Sequence, residues 1–119
     1  MRRWKDPHND FGTLWTASTK NFWVKWITEQ SFEKYDGEDE DGSIQAGLDS
    51  GELVMFDSAI KVFDCLGREI SADYLGASVY RSGEVLKFMH DGYFQDMLNL
   101  ACNEAREYYT TQPVLRRMA

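Results

Sequence analysis

The run DGYFQDMLNLACNEAREYY, residues 91–109, decides the fold, because it is the only long stretch with a clean helical period. Its apolar residues recur at spacings of three and four and so form one stripe of a helix. The stripe consists of Phe94, Met97, Leu98, Ala101, Ala105 and Tyr108. Asp91 can accept hydrogen bonds from the first turn, and Pro113 stops the helix because it lacks an N–H. We therefore predict an amphipathic C-terminal helix over 91–109 that needs an apolar surface to cover.

The residues before the helix predict a sheet that supplies this surface. Residues 11–17 and 22–29 are rich in aromatic and β-branched residues and flank the polar quartet 18–21, which is typical of a hairpin. Phe22, Val24 and Trp26 alternate with Trp23, Lys25 and Ile27, so both faces of the second strand are partly apolar.

Residues 53–64 are the clearest strand, with Phe56, Ser58, Ile60 and Val62 alternating with Asp57, Ala59, Lys61 and Phe63. The sequence then predicts a return at residues 66–67, a partner strand over 68–71 and a further turn at 73–76. A short apolar piece over 77–80 and a short helix over 83–89, capped by Ser82, complete this part of the chain.

These elements predict the α+β class, with an antiparallel meander of about four strands packed on the C-terminal helix. Length favours one domain over residues 1–119. Within it we expect an N-terminal arm over 1–10, which Trp4 ties down, and an acidic loop region over 30–51 with one helical turn at 43–48.

Composition excludes several classes of function. The net charge of −7 argues against direct nucleic-acid binding, which needs a basic face to release counterions from phosphates. No apolar run is long enough for a membrane span, and no signal peptide is recognisable, so we expect a cytoplasmic protein. Cys65 and Cys102 are expected to be thiols, and Cys102 to pack as a small hydrophobic residue.

No pattern in the sequence indicates an enzyme, a metal or a cofactor. Phosphate-binding glycine motifs are absent, and His8, His90 and the two cysteines show no ligand spacing. With Gly42 at the invariant glycine of an EF-hand, Gly37 and Leu48 occupy the first and last ligand positions, which excludes that calcium site. A small enzyme would require a deep pocket holding His90 or Cys65.

The charge is distributed unevenly, and this is the strongest functional signal. Residues 29–57 contain ten acidic residues and one basic residue, Lys34, a local net charge of −9. The run over 36–42 is a solvated loop, because its carboxylates repel one another and cannot be buried. It either keeps the protein soluble or presents negative charge to a basic partner.

For the second case we predict a partner-binding surface made of Glu38, Asp39, Glu40 and Asp41, with Trp23 or Tyr35 as its apolar anchor. The alternative is a homo-oligomeric structural or assembly protein, for example a homodimer. In that case the strand over 22–27, which is apolar on both faces, forms the contact between copies, and the acidic residues only keep the protein soluble.

Two segments resemble small uncharacterised accessory proteins of phages and mobile elements. These are Gly67-Arg68-Glu69-Ile70 with Asp73-x-Leu75-Gly76, and Gly92-Tyr93-Phe94-x-Asp96-Met97 with Ala101, Glu104, Ala105 and Arg106. The resemblance covers the C-terminal half and carries no catalytic residues. It implies a non-enzymatic inhibitor of the anti-CRISPR or anti-restriction kind, which blocks a basic, nucleic-acid-binding host defence protein.

Overall fold

The computed structural model describes residues 10–111 and has the predicted α+β architecture. Four antiparallel strands lie in the order β1-β2-β3-β4, so each strand pairs with its neighbour in sequence. The elements are β1 (Gly12–Ser18), β2 (Phe22–Gln30), α1 (Ser43–Ser50), β3 (Leu53–Asp64), β4 (Glu69–Arg81), a 3₁₀ helix (Val85–His90) and α2 (Gly92–Thr111).

One face of the sheet, the core face, lies against α2 and the 3₁₀ helix. Alternate residues of β2 and β3 are buried there. Trp26 is inaccessible to solvent and stacks on Phe88, and its indole N–H donates to Ser58 Oγ at 3.2 Å. The hydroxyl therefore satisfies the indole nitrogen, which would otherwise be buried without a partner.

The apolar stripe predicted for α2 is confirmed. Phe94, Met97, Ala101 and Ala105 are all buried against the sheet. The last buried position of the helix is Tyr109, one residue later than the predicted Tyr108. Tyr109 is buried and stacks on Phe22, whereas Tyr108 is half-buried. A helical stripe drifts around the axis over five turns, and this drift brings Tyr109 onto the sheet.

The partner strand predicted over 68–71 is present as the start of β4, but the turn predicted over 73–76 was wrong. Residues 73–76 form no turn, and a single strand runs through Glu69–Arg81. The strand contains a bulge where the pairing shifts between Phe56 and Ser58 of β3. Ala77 takes a positive φ of 58° at this bulge, and its N–H donates to the Asp57 carboxylate at 3.0 Å. The extra residue is thus absorbed within the strand.

The cap predicted for the short helix was also wrong. Ser82 donates its hydroxyl to the Gly51 carbonyl instead, and the segment forms a 3₁₀ helix. Asp10 supplies the acceptor, since its carboxylate receives the N–H of Gly83 at 2.8 Å and that of Val85 at 3.4 Å. Asp10, which the sequence placed in the arm, is therefore buried and fixed.

The start of α2 also differs from the prediction. The backbone carbonyl of Asp91 accepts the N–H of Phe94, while its carboxylate accepts the Tyr80 hydroxyl. Trp4 and Pro113 lie outside the described residues. No helix within 10–111 combines the length and the apolarity that a membrane crossing requires.

Candidate functional site

The acidic loop, residues 31–42 between β2 and α1, is joined to the start of α1 by side-chain hydrogen bonds. Asp39 accepts the backbone N–H of Ile44 at 2.9 Å and of Gln45 at 3.0 Å, one on each carboxylate oxygen. These N–H groups belong to the first turn of α1 and have no partner inside the helix. A carboxylate is favourable there also because of the helix dipole.

Asp41 performs a similar task one residue earlier in the same turn. Its carboxylate accepts the Ser43 N–H at 3.0 Å, and hydrogen bonds from the side chain and backbone of Ser43 lower the pKa of Asp41. Gly42, between Asp41 and Ser43, has a φ of 73°, which a glycine adopts without strain. The sequence predicted four equivalent acids, and the structure uses two of them to build the start of α1.

Tyr35 packs within the acidic loop. Its backbone N–H donates to Gln45 Oε1 at 3.0 Å, and its ring lies over Gly37 so closely that a Cβ there would come within 2.4 Å of the hydroxyl. The side chain is half-buried. Tyr35 therefore joins the loop to α1, and only part of its ring is left for a partner.

Two features of the acidic loop face solvent. Glu38 and Glu40 are exposed, as are Glu33 and Asp36. In the same loop Phe32 is 85% exposed, the highest value among the large hydrophobic residues in the described chain. Sequence reasoning missed Phe32. The available signal was a phenylalanine within a polar segment that has no helical or strand period.

Trp23 lies far from this group. It occupies the start of β2, whereas the acidic loop follows the end of that strand, and eight residues of extended chain span roughly 26 Å. Trp23 stacks on Phe63 with ring centroids 4.4 Å apart, and the Lys25 ammonium lies 5.8 Å from the Trp23 ring. The structure brings Tyr35 and the four predicted acids together and places Trp23 on another surface.

The other side chains that could take part in chemistry are His90 and the two cysteines. His90 and Cys65 are exposed, and both cysteines are thiols. Burial raises the pKa of Cys102, against a smaller opposing effect of Arg106. Within residues 10–111, no three side chains of the metal-binding types converge on a common point.

Asp64 is fully buried, yet its carboxylate holds the β3–β4 turn. It accepts the backbone N–H of Leu66 at 2.9 Å and of Arg68 at 3.0 Å, and Arg68 Nε at 2.9 Å. Burial alone would raise the pKa of Asp64, but these hydrogen bonds and the guanidinium charge together lower it. Asp64 therefore has a structural role in the β3–β4 turn.

Comparison with known proteins adds no relative: no family model, no curated protein and no solved structure matches the chain.

Proposed function

We propose that this chain is a small non-enzymatic binding protein whose acidic loop docks on a basic surface of a nucleic-acid-binding host protein and blocks it. The observation that carries the proposal is the loop itself: the exposed carboxylates of Glu33, Asp36, Glu38 and Glu40 share one short segment with the exposed Phe32, and Asp39 ties that segment to α1. The class of partner rests on the resemblance of residues 67–76 and 92–106 to phage accessory proteins.

The fixed conformation of the loop supports a binding role over a purely solubilising one. Charges that only keep a protein soluble need no defined geometry. Here the loop is joined to α1 by three hydrogen bonds to Asp39 and Gln45, so the backbone that carries its exposed carboxylates is already ordered. A preordered surface loses less conformational entropy when it binds.

The composition of the loop suits a basic groove. Acidic side chains steer association with positively charged clefts, and matching charge patterns exclude unsuitable partners. Charge alone gives little affinity, because exposed ion pairs contribute only about 0–1 kcal/mol each. An exposed aromatic residue such as Phe32 supplies the apolar contact that interfaces usually need. We therefore assign the anchor role to Phe32, with Tyr35 as its support.

The test is a pull-down from nuclease-treated bacterial lysate with the tagged full chain as bait. The expected result is one basic partner that is retained at low salt, lost at high salt and displaced by added nucleic acid. Glu38→Lys/Glu40→Lys should abolish its retention, and Phe32→Ser should weaken it by at least about tenfold. All variants should melt at the wild-type temperature, because these side chains are exposed.

The matched control is Glu104→Lys/Glu107→Lys, which makes the same change in net charge on the exposed side of α2. This control should retain the partner. Equal losses in both double variants would show that only net charge matters, and full retention by the loop variant would remove the electrostatic mechanism. A partner that nucleic acid does not displace would remove the proposed blocking of a nucleic-acid site.

A further inference from the structure

The face of the sheet opposite the core, called here the open face, is covered by α1 at its Leu53 end, where Leu53 packs against Gly47, and beyond that end it carries its charges in a regular order. On β2 it presents Lys25, Ile27 and Glu29, and the directly paired residues of β3 are Lys61, Ala59 and Asp57. Along the strands, the open face therefore has a basic row of Lys25 and Lys61, an apolar row of Ile27 and Ala59, and an acidic row of Glu29 and Asp57. Neighbouring rows lie about 6.6 Å apart. Tyr74 of β4 extends the apolar row, since it pairs with Ala59.

This order is unfavourable within one chain. Lys25 lies directly opposite Lys61, and Glu29 lies directly opposite Asp57. Like charges at directly opposed positions of an antiparallel pair destabilise the sheet. Exchanging either pair for opposite charges would remove the repulsion without affecting the core. Within the chain Lys61 is paired with Glu69, which leaves Lys25 and Glu29 as the charges best placed to meet an opposite charge from outside.

A second copy of the chain supplies these opposite charges. The basic and acidic rows lie two residues on either side of the Ile27–Ala59 row. A twofold axis along that row brings Lys25 over Glu29 of the second copy, and Lys61 over Asp57 of the second copy. We propose that the open face is the contact of a face-to-face homodimer with its twofold axis along the row of Ile27, Ala59 and Tyr74.

The existing contacts of these side chains are compatible with the dimer. Lys25 lies above the Phe63 ring at 5.1 Å, which lifts its ammonium above the sheet. Lys61 already bonds Glu69 at 3.2 Å, and one Asp57 oxygen accepts Ala77 N–H. Lys25 and Glu29 are thus the dominant pair, and the twofold axis forms this pair twice.

The dimensions also fit. Packed sheets lie about 10 Å apart, a gap that facing lysine and glutamate side chains can bridge. The three matched rows span five residues across four strands, a footprint of roughly 300 Å² per copy, well below the ~800 Å² per partner of a standard interface. Tyr74, which is 65% exposed, becomes covered in the dimer. We therefore expect a dimer that dissociates at micromolar concentration.

The test is light scattering on the full chain over about 1–200 µM, at an ionic strength of about 0.15 M. At that strength the Debye length of about 8 Å screens the repulsion between two chains of charge −7. The wild-type mass should rise with concentration from 13.8 kDa toward twice that value. A constant mass of 13.8 kDa would overturn the proposal.

A charge swap identifies the contact. In Lys25→Glu, positions 25 and 29 of β2 are both acidic, and in Glu29→Lys both are basic. Each variant alone then places like charges opposite one another across the twofold axis, so it should dimerise about 10- to 30-fold more weakly. An equimolar mixture should recover the wild-type affinity, since each row then meets its opposite. Absence of recovery in the mixture would exclude the twofold arrangement.

Two controls separate this inference from other readings. Glu38→Lys/Glu40→Lys alters the acidic loop and should leave the dimer unchanged, so the dimer and the proposed partner binding can fail independently. Trp23→Asp should weaken the dimer only slightly, because Trp23 lies outside the three matched rows. Binding of labelled oligothymidine to wild-type chain but not to Lys25→Glu would mark the open face as a nucleic-acid platform and overturn the dimer.

Discussion

Phe94→Ala tests the junction between α2 and the sheet, on which the whole fold depends. Phe94 lies in the first turn of α2, is 4% exposed, and contacts three aromatic rings edge to face. The ring centroids are 5.4 Å from Trp15, 5.5 Å from Trp26 and 6.4 Å from Phe88. The side chain thus joins β1, β2 and the 3₁₀ helix to α2.

The expected loss follows from these contacts. Burial of a phenylalanine contributes about 2–3 kcal/mol, and each aromatic pair adds about 0.5–1.5 kcal/mol. Four elements enclose the position, so the cavity left by alanine cannot collapse easily. We expect Phe94→Ala to lower the free energy of unfolding by about 3–5 kcal/mol. At about 4 °C per kcal/mol, the melting temperature should fall by about 12–20 °C.

The measurement is urea unfolding, followed by tryptophan fluorescence and by far-ultraviolet circular dichroism. Trp15 and Trp26 both lie against Phe94, so fluorescence reports on the same junction that dichroism reports through α2. Tyr93→Ala is the matched control, because the adjacent Tyr93 is 59% exposed, and it should change stability by less than about 0.5 kcal/mol. A loss below about 1 kcal/mol for Phe94→Ala, or equal losses for both variants, would refute the packing of α2 on the sheet.

Two further predictions concern local features of the sheet. Asp64 has a lowered pKa in the folded protein, so its stabilisation is complete above the ordinary aspartate pKa of about 3.9 and is lost as pH falls through the lower folded value. Asp64→Asn should therefore cost about 1–3 kcal/mol at pH 7 and flatten the acid limb of the stability curve below about pH 5. An unchanged acid limb in urea unfolding would contradict this role. Ala77→Gly should raise stability by about 0.5–1 kcal/mol, because glycine adopts the φ of 58° without the cost that a Cβ imposes. A lower unfolding midpoint for this variant would show that the bulge is not strained.

Much of the fold could be predicted because its signals are local. The period of residues 91–109 requires a helix with one apolar stripe, and the alternation over 53–64 requires a strand with one buried face. The continuation of β4 through residues 73–76 was missed for an equally local reason. Asp73, Gly76 and the small residues around them are typical of a turn, and only the pairing with β3 shows that they lie in a bulge opposite Asp57.

The candidate site was predicted less completely. The acidic run identifies a solvated loop from composition alone. Composition cannot show that Asp39 and Asp41, rather than Glu38 and Glu40, accept hydrogen bonds from the start of α1, nor that Asp39 alone of the four is half-buried. That difference depends on where the helix begins, and Phe32 stands out only once its exposure is known.

The sequence by itself determined the class, the strand order and the negative charge of the loop, since period, turn spacing and composition act within a few residues. Only the tertiary structure decided which residues share a surface. Trp23 and the acids lie within one stretch of sequence, but β2 separates them by roughly its full length. Lys25 and Glu29 are ordinary charges in the sequence, and the register with Lys61 and Asp57 turns them into two like-charged rows. Pairing between strands is non-local, so neither arrangement can be read from neighbouring residues.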